Sequence, residues 1–302
     1  MKIITHNGQF HADEVLAFTI LNYVFENCKL ERTRDQKIID EGDIIIDVGK
    51  IYDSENNKFD HHQEDCNELF YEKSNIPMSS VGMVYKKYGK SYLNKLLSIE
   101  SSIDYIDDNL YNEVYENIIK EVDAIDNGIN NIYNKFNINT GISRIISRFN
   151  SNDVFNEEEQ KKQFYNASKY AQNVLEIIAT DLHSKNIIFN EEYEKIKNLI
   201  NSTKKNYIIV NFDCINWYKC INQYYIDNDN KNKIDWIIYR DDKNWRIRTI
   251  FRDSKKLKNE EFIRNNMKNA EDLIFVHKSN FLASAKTKDS IKDIAKLSIK
   301  YT

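Results

Sequence analysis

Cysteine, proline and glycine are scarce in this chain, at four, one and seven of 302 residues. The cysteines, Cys28, Cys66, Cys214 and Cys220, form no CxxC pair and no zinc-ligand spacing. A disulfide framework and a cysteine-based zinc site are therefore excluded, and the thiols read as reduced ones in an intracellular protein. No window approaches the roughly 18 apolar residues of a membrane span, which removes membrane-embedded functions. A strand starting at Lys2 leaves no room for a signal or transit peptide, so the expectation is a soluble cytoplasmic or nuclear protein. No internal repeat is visible. Histidine is also scarce, yet four of the six histidines fall in two short stretches, His6 and His11 in THNGQFHADE and His61 and His62 in FDHHQ.

The length allows a large core and predicts two domains. Charge is unevenly spread: residues 204–302 hold 21 Lys and Arg against 13 Asp and Glu, and residues 1–203 hold 22 against 34. An acidic front half that can bind cations and a basic back half that can attract phosphate suit a polyanionic substrate. Two solvated charged surfaces are the plain alternative.

The front half reads as an α/β sheet. Lys2–Thr5 predicts a strand, Glu14–Glu26 an amphipathic helix and Leu30–Arg34 a second strand. Asp43–Val48, an apolar run bounded by acids, predicts a buried parallel strand, and Ile51–Asp60 two short strands around an Asn-rich turn. Ser79–Leu97 predicts a helix opened by a cap-like Ser pair after Pro77. Helices follow over Ile103–Ile125 and, with breaks, from residue 156 to about Ile200. Beyond Tyr207 the texture changes to strands: YIIVNF, KIDWIIYR, NWRIRTIF and DLIFVH. Trp217, Trp236 and Trp245 read as sitting inside strand-like apolar runs, a setting that favours core positions over stacking platforms.

In open α/β sheets ligands gather outside the carboxyl ends of strands, and the front-half acids and imidazoles fall there. His6, His11 and Asp13 follow the first strand, Asp47 ends the third, Asp60, His61 and His62 end KFDHH, and Asp123 and Asp126 lie in VDAIDNG. Each piece alone is a weak signal; four separate segments delivering them together are not. Imidazole with carboxylate suits divalent manganese or zinc, and a carboxylate such as Asp47 can bridge two ions. Side chains alternate along a strand, so at most one of His61 and His62 faces a given metal. Arg32 and Arg34 alternate likewise, placing both on one face for phosphate contact or for pairing with nearby acids. His183 reads as a solvated surface residue.

The chain resembles the DHH phosphoesterase superfamily through Asp60-His61-His62, and within it the melanocyte-proliferating-gene exonuclease family. The motifs are THNGQFHADE (5–14), RTRD (32–35), DVGKIYD (47–53), FDHHQ (59–63), SSVGMVYKKYG (79–89), VDAIDNGI (122–129) and FVHKSNF (275–281). They run nearly end to end and are most specific up to Ile129. The resemblance implies a parallel-sheet DHH-like metal-binding catalytic domain with helices on both faces over residues 1–155. A helical connector and a smaller, basic α/β substrate-binding domain would follow over 156–302. It implies His6, His11 and Asp13 as the first metal cluster, Asp47 as the bridging carboxylate, His61 as a ligand and Asp123 or Asp126 as the last. His62 would sit beside the metals near the scissile phosphate with Asp60, and His277 and Lys278 would meet substrate together with Arg32 and Arg34. After FVH the chain departs from the family's glycine-rich stretch, with Asn280, Ala283 and Ser284 in its place, which puts substrate recognition in question.

The implied activity is two-metal 3′–5′ exonuclease action on single-stranded RNA or short oligonucleotides. Two manganese ions are the expected cofactor, with magnesium or zinc as alternatives. Two rivals stand beside it: a hydrolase of a small phosphate such as pyrophosphate or a dinucleotide, and a non-catalytic RNA-binding protein of the same fold. The sequence leaves the oligomeric state open.

Overall fold

The computed structural model describes residues 1–64, 66–98, 106–129, 139–229, 234–241, 243–251 and 254–300. It divides into two units, Met1–Ser184 and Lys185–Thr302. In the first, five strands, β1 (Lys2–Thr5), β2 (Lys29–Arg32), β3 (Ile44–Ile46), β4 (Tyr52–Asp53) and β5 (Lys58–Phe59), form one sheet in the order β2-β1-β3-β5-β4. Every pairing is parallel except β4 with β5. Alternation divides the isoleucines between faces. Ile3, Ile44 and Ile46 join the large core of this unit, while Ile4 and Ile45 form a smaller cluster with Ile39 and Val48.

The large core lies under α1 (Ala12–Phe25) and α3 (Ser80–Leu96). Every residue of α1 from Ala12 to Leu21 is buried, as expected of a helix enclosed on all sides. The opposite face carries only α2 (Gln36–Ile39) among the described residues. Helices therefore do cover both faces of the sheet, but very unequally. Beyond α3 run α4 (Asp108–Val114), a π-helical turn (Tyr115–Ile119) and α5 (Lys120–Asp126), then the short α6 (Ile142–Ser147). The start of the helix expected over Ile103–Ile125 lies partly outside the described residues.

The region expected to be helical with breaks is one uninterrupted helix, α7 (Glu157–Ser202). Its first part buries Phe164, Ala167, Ala171, Leu175 and Ala179 in the core of the first unit, and its last part buries Ile196 and Ile200 among residues of the second. The division at 184/185 thus falls inside this helix, later than the 155/156 boundary expected from sequence.

The second unit holds β6 (Tyr207–Val210), β7 (Trp236–Arg240), β8 (Trp245–Thr249), β9 (Leu273–Val276) and β10 (Leu282–Ala285), ordered β6-β7-β8-β10-β9. Only β6 and β7 pair in parallel. One face packs with α9 (Glu260–Asn266) and α10 (Lys288–Lys300), the other with α8 (Trp217–Asp227) and the end of α7. Trp236 is fully buried, as its setting implied. Trp217 instead opens a helix, half-buried, with its ring against Tyr239. Strand β10 went unread because LASA carries too little hydrophobicity to announce itself.

Candidate metal centre

The loop from β1 to α1 supplies the first group. His6 follows β1 directly, and His11 is the residue before α1. Glu14, in the first turn of α1, accepts from the His11 backbone N–H at 2.9 and 3.0 Å. That closes a capping box and places acids where the helix dipole favours them. The His6 Nδ1 faces the Asn7 carbonyl at 3.0 Å, so a neutral ring carries its proton there and turns the Nε2 lone pair inward. Nε2 lies 2.9 Å from Glu14 Oε1 and 3.2 Å from Asp47 Oδ2.

Asp47 directly follows β3, with φ +55. Aspartate is one of the few side chains that tolerates this left-handed conformation, and such strain concentrates at functional sites. The backbone holds it there through an N–H donated to Phe59 O at 3.1 Å. Its two oxygens face different imidazoles: Oδ2 meets His6, whereas Oδ1 lies 3.6 Å from His61 Nε2 and 3.3 Å from His62 Nδ1. Asp126, the last residue of α5, reaches His61 Nε2 at 2.9 Å. Asp60 accepts from the His62 backbone N–H at 3.1 Å and contacts its Nδ1 at 2.8 Å, while its other oxygen takes the Lys50 N–H at 2.6 Å. His61 is nearly buried and His62 is not, with side-chain exposures of 8% and 55%.

Three sets of potential ligand atoms each fall within 4.8 Å of one another: His6, His11, Glu14 and Asp47; Asp47, His61 and His62; His11, Asp13 and Asp126. Asp13 decides what the cluster is suited to. It is fully buried and neither of its oxygens meets a hydrogen-bond donor. Burial, then the charges of Asp47, Asp126 and Glu14, and last a proton shared with the Glu14 carboxyl, push its carboxyl well above the ordinary range. A buried charge of this kind is costly unless paired or metal-bound. Burial works against ionisation of His6, yet Glu14 and Asp47 outweigh it and hold the imidazolium up to about 10. Carboxylates concentrated beyond what local cations neutralise fit a divalent ion or two, and the mixed oxygen and nitrogen donors suit manganese, zinc or magnesium.

Asp123 stands apart from this group. Ser79 donates to its Oδ1 through backbone N–H and hydroxyl at 2.9 and 2.8 Å, and the Tyr115 hydroxyl donates to Oδ2 at 3.0 Å. Burial raises its carboxyl to about 7 against those donors. A Cβ on Gly82 would lie 2.4 Å from Asp123 Oδ2, so glycine is required there. Asp123 ties the start of α3 to α5, and of the pair left open by the sequence Asp126 is the one beside His61.

Arg32 and Arg34 do not share a face, because β2 ends at Arg32. Arg32 is buried, donates to Gly8 O at 2.6 Å and pairs with Glu157 at 3.4 Å. Arg34, exposed, lines a cleft of about 360 Å³ with His6, His11, Asp47, Lys50, Asp60 and His62. The sequence gives Glu14, crowded with His6, His11 and Asp13, no role of its own, and Lys50, inside DVGKIYD, carries none either. Arg144, which with His11, Asp47, His62 and Asp126 lines a neighbouring cleft, carries no sequence signal. His277 and Lys278 lie in the β9–β10 turn of the second unit, where the His277 ring packs 4.4 Å from Phe281 and its Nδ1 accepts from Ser279 N–H. Asn280 holds φ +58 in that turn, so asparagine supplies a conformation glycine would otherwise supply.

The family model MYG1_exonuc, described as "Uncharacterised protein family (UPF0160)", matches residues 2–299. The chain belongs to this family. It is the family that the histidine and aspartate motifs resemble. A MYG1 protein of Saccharomyces cerevisiae is 28% identical over 328 residues, covering 99% of this chain and 95% of that one. A MYG1 protein of Dictyostelium discoideum is 35% identical over 175 residues, covering 55% of this chain and only 52% of its own length. A Homo sapiens protein named MYG1 exonuclease is 35% identical over 159 residues, covering 49% of this chain and 42% of that one. Among solved structures, exonuclease RecJ bound to manganese covers all of this chain at 10% identity with a TM-score of 0.29, too low to carry an argument. No described helix is long and apolar enough to cross a membrane.

Proposed function

We propose that this MYG1-family chain is a metal-dependent phosphodiesterase that trims single-stranded RNA from its 3′ end at a two-metal site. The observation that carries the reading is Asp13, a fully buried carboxylate without a donor amid His11, Asp47 and Asp126. His6, His11, Asp13, Asp47, His61 and Asp126 would hold the ions, with Asp47 presenting one oxygen to each side. The metals would supply charge neutralisation at phosphorus and a more acidic attacking water.

The remaining roles belong to the chain's own groups. Arg34 and Lys50 bring positive charge to the cleft that holds His6, Asp47 and His62, suited to bind and orient a phosphodiester. His62 is fixed by Asp60 at Nδ1, and that contact leads burial's opposing effect in raising its pKa. It would thereby keep a proton at Nε2 for the departing oxygen. In the second unit, the basic balance and the exposed Lys278 beside His277 would offer positive charge to RNA.

Digestion of 5′-labelled RNA with added manganese, with and without chelator, tests the reading, with parallel reactions on pyrophosphate and a dinucleotide. Stepwise shortening from the 3′ end, abolished by chelator, is expected. Turnover confined to the small phosphates would replace it with the small-substrate reading, and no turnover on any of them would leave a binding protein.

A further inference from the structure

The loop between His6 and His11 has almost no backbone partners of its own. Its Gly8 N–H donates to Glu157 Oε1 at 3.0 Å, and its Gly8 carbonyl accepts from Arg32 at 2.6 Å. Its Phe10 N–H donates to Asn150 Oδ1 at 2.9 Å, and its Phe10 carbonyl accepts from Asn150 Nδ2 at 2.9 Å. Four main-chain groups, two on Gly8 and two on Phe10, are thus met by three side chains from distant segments. Backbone polar groups must find partners when buried, and here those partners define where the loop can lie. Arg32 is itself fixed by its ion pair with Glu157 and by the rings of Phe10 and Phe164, each 5.6 Å from its guanidinium carbon. Gly8, at φ +87, lets the chain turn between the two clamps.

Resting on the metal reading above, we infer that Asn150, Glu157 and Arg32 are positioning residues for metal binding: together they set the separation of His6 and His11. None of the three is among the potential ligand groups. Asn150 acts closest to His11, whose neighbour Phe10 it grips on both sides. Glu157 and Arg32 act on Gly8, two residues from His6. Arg32, expected from sequence to meet phosphate or an acid, is assigned here to the acid and the loop. Partners one step removed from a metal typically govern affinity by 10–100-fold.

The test measures Mn²⁺ binding by the loss of the free-ion electron paramagnetic resonance signal, on the full chain, together with thermal melting in chelator. Asn150→Ala should weaken Mn²⁺ binding about tenfold or more. Glu157→Gln keeps an acceptor for the Gly8 N–H but loses the charge facing Arg32, so its loss should be smaller than that of Glu157→Ala. Ser168→Ala is the control: it removes a buried hydroxyl contact to Thr19 at 2.9 Å, away from the loop. It should lower the melting temperature without altering Mn²⁺ affinity. The inference is overturned if Asn150→Ala and Glu157→Ala bind Mn²⁺ as the wild type does, or if Ser168→Ala loses affinity in step with its melting temperature. A wild-type chain that fails to bind Mn²⁺ at all would instead bring down the metal reading, and this inference with it.

Discussion

Asp13→Asn should change stability in opposite directions depending on metal. Asp13 is fully buried, lacks a donor and faces Asp47, Asp126 and Glu14. Without metal, the fold must keep this group either as an unpaired charge or with a proton held against the ambient pH. Leaving such a group unsatisfied costs about 1–3 kcal/mol. The amide removes the charge at equal volume, so in chelator the variant should melt a few degrees higher, at roughly 2–4 °C per kcal/mol for a domain of this size. With Mn²⁺ at a hundred times its dissociation constant, the wild type gains about 2.7 kcal/mol. The variant should forfeit most of that, because an amide offers the ion no charge. The two melting curves should therefore exchange order between chelator and manganese in a scanning calorimetry series. An Asp13→Asn protein that melts below the wild type in chelator, and still gains the full manganese increment, would refute the argument that this carboxylate is kept for a cation.

Asp47→Asn should abolish hydrolysis with the fold intact, since asparagine also tolerates φ +55; a variant retaining a tenth of the wild-type rate at saturating manganese would show that Asp47 is not the bridge. His61→Ala should raise the manganese concentration needed for half activity, whereas His62→Ala should lower the maximal rate at a nearly unchanged requirement, because His61 is enclosed beside Asp47 and Asp126 and His62 is half exposed on Asp60. Matching losses of metal affinity in manganese titrations would remove that division. Asp126→Asn should weaken Mn²⁺ binding while Asp123→Asn should not, which calorimetric titration decides. Asp123 also has a pH signature. Its folded pKa is raised from 3.8 to about 7, so its contribution to stability is fully present below about 4 and is lost as pH rises through about 7. Asp123→Asn should flatten the dependence of the urea midpoint on pH across that window, and an unchanged slope would contradict the assigned shift.

Local pattern carried much of the first unit. The strand Lys2–Thr5, the apolar run ending at Asp47 and the paired short strands before Asp60 were readable because burial on both faces or strict alternation leaves a direct mark on residue type. The second unit was less legible. Its helix α8 mixes polar and apolar residues at short length, α10 carries apolar residues at helical spacing that the run of lysines around them masks, and β10 is made of small residues whose burial comes from neighbours rather than from their own hydrophobicity. Trp217 shows the limit: an aromatic in an apolar run reads as strand, yet here it begins a helix.

The sequence by itself determined the donor inventory and the family, because imidazoles and carboxylates clustered at strand ends are chemically distinctive whatever their partners. Only the tertiary structure decided how that inventory is divided. It separated Asp126 from Asp123 by giving the latter three donors, and His61 from His62 by burying one and exposing the other. Of the two partners left open for Arg32 it gave the acid, Glu157, together with Gly8, and it brought Lys50 and Arg144 to the clefts beside the cluster. The physical reason is that a carboxylate's or a guanidinium's role depends on which donors, acceptors and charges surround it. Those neighbours come from other segments, Ser79 for Asp123, Asp126 for His61 and Glu157 for Arg32, and the loop at residues 8–10 is closed by Asn150 and Glu157.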